Sequence, residues 1–369
     1  MLAAWLHTLN PVILRLTETW AVRWYGLAYV TGFAAGWWLL RMMSARGMTP
    51  LSKLRLGDAV LAMVAGVMLG GRLGYVAFYQ PSLLWSFSET PPWWGVLMIQ
   101  KGGMASHGGM LGVITACWLV SRGVRQPDGT RAERVPFLHV TDLMAIACTP
   151  GLFLGRMANF VNGELLGKIV ALPGEPAPWW AVKYPQEILI PAQDAGQFMS
   201  PEAAAARTAA LQRLAASAQL PGDPPGRLYE HLIERVQRGS HDLAAGLEPL
   251  ISARYPSQLL QGAVEGLALG LALWLIWCRA RAPGVIGAWF LMLYGAGRIM
   301  TEFVRLPDAD LGRQRYLGIG LSRGQWLSVA MIVAGAGVLL YSVRRAGPKF
   351  GGWCGRRAGS LGTAEEARA

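Results

Sequence analysis

At 369 residues, 53% of them hydrophobic and only 15% charged, the chain lies well below the quarter-charged make-up of soluble domains. That excludes an ordinary soluble enzyme and points to an integral membrane protein. The formal net charge of +12 is carried chiefly by arginine, with no basic-aromatic stripe of the kind single-stranded nucleic acid needs. The charge is therefore assigned to loops facing anionic membrane lipid, and nucleic acid is excluded as a partner.

The N-terminus has no basic stretch leading into an apolar core, so no cleavable signal peptide is expected. Seven apolar segments then reach or approach the ~20 residues that cross a bilayer. They lie near 24–41, 57–79, 104–121, 136–156, 260–278, 284–304 and 321–342. The first opens on Trp24-Tyr25-Gly26, read as an interfacial aromatic belt. The second ends in Gly-Gly-Arg-Leu-Gly-Tyr-Val-Ala-Phe-Tyr, where Arg72, Tyr75 and Tyr79 share a face. Alone, that face fits snorkelling at the membrane surface as well as it fits a site.

The third segment opens in Lys101-Gly-Gly-Met-Ala-Ser-His107-Gly-Gly-Met-Leu-Gly112. His107 there is either a proton acceptor near neutral pH or a hydrogen-bonded helix-start residue among packing glycines. The fourth contains Asp142, which needs a partner at that depth, and runs into Gly155-Arg-Met-Ala-Asn-Phe-Val-Asn-Gly-Glu-Leu-Leu-Gly167. Charged groups at membrane depth usually mark a site. Arg156, Asn159 and Asn162 are spaced three apart on one helical face, and a guanidinium flanked by amides suits an anion on an apolar body, such as a lipid phosphate.

Region 157–259 differs in composition and reads as an extracytoplasmic, mainly helical insert, about 173–253. Ser200-Pro201 caps an Ala-rich helix to about Gln219, and shorter helices are expected over 227–238 and 241–253. Tyr255-Pro-Ser-Gln258 is either a helix start with Ser257 near the cap or a plain turn re-entering the membrane. In the sixth segment, Tyr294, Arg298, Glu302 and Arg305 form a polar stripe. That stripe is either a salt-bridge ladder or, with two arginines to one glutamate, a seat for an anion.

Arginines and lysines gather in alternate loops: Arg41, Arg46, Lys53 and Arg55; Arg122, Arg125, Arg131 and Arg134; Arg279 and Arg281; and the tail from Arg344. Seven spans place all of these on the cytoplasmic side, with the N-terminus outside and the C-terminus inside. Segment 305–323, with Arg305, Arg313, Arg315 and Arg323, breaks that pattern. The resulting division is 1–156 (spans one to four), 157–259 (the extracytoplasmic segment), 260–343 (spans five to seven) and 344–369 (a basic tail without order). Cys117, Cys148, Cys278 and Cys354 show no C-x-x-C pairing and are read as small apolar fillers, and the five histidines lack metal-ligand spacing.

Arg72, His107, Arg156 and the Arg298/Arg305 stripe thus come from four different spans whose ends should meet at one membrane face. With these motifs in their order, joined by Tyr255-Pro-Ser-Gln-Leu and Leu321-Ser-Arg-Gly-Gln325, the chain resembles the prolipoprotein diacylglyceryl transferases. The resemblance covers most of the chain except the insert. It implies a seven-span enzyme of the bacterial inner membrane, acting without metal or cofactor. Such enzymes move the diacylglyceryl group of phosphatidylglycerol to the thiol of a lipobox cysteine in a preprolipoprotein, leaving glycerol phosphate. It also implies that the family depends most on Arg156 and Arg298, and that His107, Tyr25, Asn159, Glu164, Gly167, Tyr294, Glu302 and Arg305 match further functional positions. On that basis His107 takes the thiol proton, Arg156 and Arg298 hold the phosphate, Arg72 and Arg305 guide lipid or peptide, and Glu302 orients an arginine.

Two departures stand out. The family commonly has His-Pro-Ser-Gln-Leu-Tyr-Glu where this chain has Tyr255-Pro-Ser-Gln-Leu-Leu-Gln261, and glycine where Ala158 stands. The rival readings are a transporter for an anionic lipid, disfavoured by the lack of an internal repeat, and an inactive member that still binds lipid or prolipoprotein.

Overall fold

The computed structural model describes residues 4–16, 21–89, 91–99, 102–190, 195–220, 226–306, 313–316 and 319–354. Twelve α-helices follow in chain order: α1 (Trp24–Ala45), α2 (Lys53–Phe78), α3 (Ser106–Ser121), α4 (Phe137–Ala147), α5 (Thr149–Asn162), α6 (Pro201–Ser217), α7 (Leu228–Gln237), α8 (His241–Leu247), α9 (Ser257–Gln261), α10 (Leu269–Ile276), α11 (Val285–Glu302) and α12 (Arg323–Arg344). A π-helical turn, Gly262–Ala268, joins α9 to α10.

All seven apolar segments are helical. Four stretches are long and apolar enough to cross a membrane: Lys53–Phe78, Phe137–Asn162, Ser257–Ile276 and Gly324–Arg344. His107–Ser121 is a shorter apolar helix. Large apolar side chains such as Leu61, Leu69, Leu271, Leu275, Val333 and Leu340 stand exposed on these helices. A soluble protein does not display such continuous apolar helix faces, whereas lipid covers them. The chain is a mainly helical, multi-pass membrane protein. The fourth segment is interrupted at Cys148, because Pro150 has no N–H with which to continue the helical ladder.

The chain divides into two compact units. One comprises Met1–Gly32, Thr149–Gly270 and Leu291–Ala334; the other comprises Phe33–Cys148, Leu271–Phe290 and Gly335–Ala369.

The first unit contains the insert. Ser200 caps α6 as expected, accepting a hydrogen bond from Ala203 N. α6, α7 and α8 enclose an apolar core of Leu211, Ala215, Leu232, Ile233, Val236, Leu243 and Leu247. A small four-stranded sheet was not expected from the sequence. Its strands are Trp5–Leu6, Val182–Lys183, Ala253–Arg254 and Ile169–Ala171, in that order. Runs of two and three residues are too short to show a period of two, so their alternation is invisible without their partners. The fully buried Glu187 carboxylate pairs with Arg207 at 3.1 Å and with Arg254, a residue of the sheet, at 2.8 Å. His7 is buried too, 2.7 Å from the Phe160 carbonyl, and burial holds its pKa below the ordinary 6.5.

In the second unit α2 and α3 pack backbone to backbone. A Cβ on Gly112 would lie 1.9 Å from the Gly66 carbonyl oxygen, so only glycine permits this approach. Asp142 finds its partners here, accepting from Gly284 N and Gly287 N, both at 2.7 Å.

Two cysteines depart from the filler reading. Cys278 and Cys354 form a disulfide. The tail from Arg344 is described to Cys354 and carries a strand, Phe350–Gly351, paired with Ala280–Arg281. Its remainder lies outside the described residues. The contact spans 76 positions of sequence, so no local spacing could announce it.

Candidate functional site

The site in the first unit grows from three helical pieces. α5 supplies Arg156 and Asn159, the π-helical turn supplies Glu265, and α11 supplies Arg298, Thr301 and Glu302. A π turn carries one extra residue, which re-aims the side chains that follow and is often found at functional positions. Gly266 lets this turn press against α5, where a Cβ would sit 2.6 Å from that of Phe153.

Glu265 is the centre of the arrangement. Its carboxylate is 1% exposed and lies 3.1 Å from Arg156 through one oxygen and 4.0 Å from Arg298 through the other. Thr301 Oγ1 donates to it at 2.8 Å. Arg298 also lies 3.1 Å from Glu302, which in turn lies 3.9 Å from Arg305 and accepts from Ser322 Oγ at 3.0 Å. The chain of ionic contacts therefore runs Arg156, Glu265, Arg298, Glu302, Arg305. It leaves one positive charge in excess. Arg298 Nη1, the nitrogen 4.0 Å from Glu265, is buried and makes no hydrogen bond among the described residues. A buried guanidinium N–H without an acceptor is costly, and an anion would satisfy it. The two arginines are only 22% and 16% exposed, so they are held rather than solvated.

Beside this chain lies an amide cluster. Asn159 Nδ2 donates to the Tyr25 hydroxyl at 3.1 Å and to Glu164 at 3.0 Å, and Asn162 donates to the other Glu164 oxygen at 3.2 Å. The loop after α5 is fixed at several points. Lys168 N donates to Val304 O and Leu306 N to Leu166 O. Ser257 Oγ donates to Leu165 O, and Gln258 bridges Glu164 O to the Tyr184 hydroxyl. Arg254 donates to Gly167 O at 3.1 Å. Gly167 is held so tightly that a Cβ there would meet the Tyr255 carbonyl oxygen at 2.2 Å. A cavity of about 470 Å³ opens beside this loop, lined by Asn162, Glu164, Leu166, Leu189 and Arg305.

Of the residues expected at a site, Tyr25, Arg156, Asn159, Glu164, Gly167, Tyr294, Arg298, Glu302 and Arg305 belong to this unit, and Tyr294 lies half-buried one turn before Arg298 on α11. Arg72 and His107 belong to the other. His107 stands exposed at the start of α3. Arg72 is buried. Its Nε donates to Val96 O, Nη1 to Gly102 O and Gly103 O, and Nη2 to Gly95 O, at 2.6–2.9 Å. That guanidinium fastens the 95–103 loop. Sequence reasoning passed over Glu265, Thr301 and Ser322. Glu265 carried a usable signal, since an acid inside an apolar span draws the same suspicion as Arg156. Its position in the middle of the fifth span gave no hint of which cation it meets.

The sequence matches prolipoprotein diacylglyceryl transferase over residues 11–341. The chain belongs to the prolipoprotein diacylglyceryl transferase family. Among this family, a phosphatidylglycerol–prolipoprotein diacylglyceryl transferase of Bdellovibrio bacteriovorus is 38% identical over 355 residues, covering 94% of this chain and 96% of that protein. One from Rhodospirillum rubrum is 33% identical, covering 92% and 94%. One from Neisseria gonorrhoeae is 35% identical, covering 89% and 94%. The match spans the Arg156–Glu265–Arg298 arrangement, so the site described above belongs to the part of the chain that is shared with the family.

Proposed function

We propose that this protein transfers the diacylglyceryl group of phosphatidylglycerol to the thiol of a lipobox cysteine in preprolipoproteins, forming a thioether and releasing glycerol phosphate. It is thus a transferase of the first step of lipoprotein maturation. The observation that carries this reading is the pair of guanidiniums, Arg156 and Arg298, gathered from two helices around Glu265 in a chain of this family.

In this scheme the lipid phosphate binds Arg156 and Arg298, with Arg298 Nη1 as its first donor. The thiol is a weak nucleophile until it loses its proton, and His107 accepts that proton. The sulfur attacks the diacylglyceryl carbon bonded to the phosphate oxygen. The carbon–oxygen bond breaks, its electron pair leaves with glycerol phosphate, and that anion takes up the proton. Charge grows on the leaving oxygens as the bond breaks. Guanidiniums fixed by Glu265 and Glu302 stabilise it without reorganising, which is worth most in a water-poor site. Asn159, Glu164 and Tyr25 shape the neighbouring wall, with Tyr294 and Gly167 at its margins. Arg305 faces the cavity beside the 163–167 loop, where substrate is guided. Arg72 acts by holding the 95–103 loop.

On this reading the protein lies in the bacterial inner membrane with seven spans, N-terminus outside and C-terminus in the cytoplasm. The division 1–156, 157–259, 260–343 and 344–369 is retained on this reading, with 157–259 extracytoplasmic and its helices about 173–253.

The deciding assay mixes the purified protein with phosphatidylglycerol and a lipobox peptide and follows the peptide mass. A gain of one diacylglyceryl unit that Arg156→Ala abolishes supports the reading. Lipid binding without any gain would leave an inactive binder instead.

A further inference from the structure

The second unit contains a cavity of about 930 Å³ that shares no residue with the site above. It is walled by the end of α3, the start of α4 and the end of α12, with Trp118, Phe137, Leu138 and Tyr341 among its apolar surfaces. Four arginines line it, Arg122, Arg131, Arg134 and Arg345, and no carboxylate does. All four stand exposed, so water and salt screen their mutual repulsion, but an anion entering the cavity meets guanidiniums with no competing carboxylate on its wall.

The nearby acids are occupied elsewhere. Asp128 accepts from Thr130 N at 2.9 Å and Thr130 Oγ1 at 2.6 Å. Glu133 accepts from Ser52 N and Ser52 Oγ, both at 3.2 Å. Among the described residues, none of the four arginines forms an ion pair. Three are held in place by neutral groups. Arg122 stacks over the Trp118 ring at 4.7 Å, Arg131 Nη1 donates to Arg122 O at 3.1 Å, and Arg345 Nη1 donates to the Tyr341 hydroxyl at 2.9 Å. A further feature is independent of charge: Ser342, 2% exposed and part of the cavity wall, has a hydroxyl with no hydrogen-bond partner among the described residues.

A soluble anion needs only the guanidiniums. Here they rim a space whose other walls are aromatic and aliphatic ends of apolar helices, and its volume lies in the range of specific ligand pockets. That combination matches an amphiphile whose head is a phosphate and whose chains lie along the helices. We infer that this cavity binds the phosphate headgroup of an anionic membrane lipid. The inference does not depend on the transfer reaction proposed above.

The test is native mass spectrometry of the full chain in detergent, titrated with phosphatidic acid or with phosphatidylcholine of the same acyl chains. Two variants with equal loss of charge are compared: R122Q/R131Q/R134Q/R345Q at the cavity, and R15Q/R23Q/R46Q/R213Q, at exposed arginines that do not line it. Phosphatidic acid should bind the cavity variant about 100-fold more weakly than wild type, since each of the four arginines near an anionic headgroup contributes a few-fold. The other variant should stay within about twofold of wild type, and phosphatidylcholine should be insensitive to both. Equal losses in the two variants would reduce the effect to diffuse charge and overturn the proposal, as would no loss in either. Displacement of the lipid by millimolar inorganic phosphate would make this a soluble-anion site and overturn the lipid assignment. Ser342→Ala removes the hydroxyl without adding bulk and keeps the charge of the wall. It should weaken phosphatidic acid binding a few-fold, so the proposal can still fail if the quadruple variant misfolds.

Discussion

The carboxylate of Glu265 stands 3.1 Å from the guanidinium of Arg156, and the two residues are 109 positions apart in the chain. Because Glu265 is almost fully buried, it has little water to fall back on, and its charge is compensated by Arg156 and Arg298. The carboxylate in turn fixes where those cations point. Glu265→Gln should retain the shape of the site but loosen both arginines. A displacement of about 1 Å near the reacting centre lowers turnover by ~100-fold. The measurement is the initial rate of peptide mass gain at saturating phosphatidylglycerol, and a rate within threefold of wild type would remove Glu265 from the positioning role.

Arg156→Lys and Arg298→Lys keep the charge but lose the planar fork that can donate two bonds to one phosphate. Each should lower kcat by ~100-fold or more, as removal of a preorganised donor does elsewhere. KM for phosphatidylglycerol should change less than kcat, because the leaving oxygens gain charge only as the bond breaks. A lysine variant with full turnover would indicate that charge alone suffices.

Gly167→Ala forces a methyl group against the Tyr255 carbonyl oxygen, which is backbone and cannot swing aside. The expected cost is about 1–3 kcal/mol, together with displacement of the loop carrying Glu164. Turnover and the melting midpoint should fall together. An unchanged midpoint would show that the loop can shift freely.

His7 gives the first unit a pH dependence. Burial holds its imidazole pKa below the ordinary value, so the folded chain keeps it neutral where the unfolded chain would protonate it. Its contribution is complete above pH ~6.5 and is lost as pH falls below that value, by at most ~1.4 kcal/mol per pH unit. The melting midpoint should drop between pH 7.5 and pH 5, and His7→Phe should flatten that dependence.

Gln261 is fully buried and, among the described residues, neither of its amide atoms has a hydrogen-bond partner. Replacing it with Met, similar in length and without the amide, should raise stability by about 1 kcal/mol. Scanning fluorimetry of Gln261→Met would show this as a higher midpoint. A lower one would mean that the amide has a partner in the membrane-embedded protein.

Much of the helical architecture was legible in the chain because an apolar run of ~20 residues leaves a backbone in lipid little choice but to form a helix. The charged residues inside those runs were equally legible, since their cost singles them out whatever they touch. The helical insert could be read from Ser200-Pro201, a cap whose geometry is local. The short strands could not be read, because two or three residues form a strand only when a distant partner supplies the hydrogen bonds.

The pairings belong to the fold. Arg72 and Arg156 look alike in sequence, each an arginine beside glycines at a span's end. Only the folded chain gives one of them backbone carbonyls and the other a carboxylate. Glu265 and the Cys278–Cys354 disulfide are likewise products of long-range approach. Composition and periodicity determined that this protein is helical, membrane-embedded and armed with arginines. Tertiary packing decided which arginines are satisfied structurally and which keep a donor for an anion, because that depends on what other segments bring within about 3 Å.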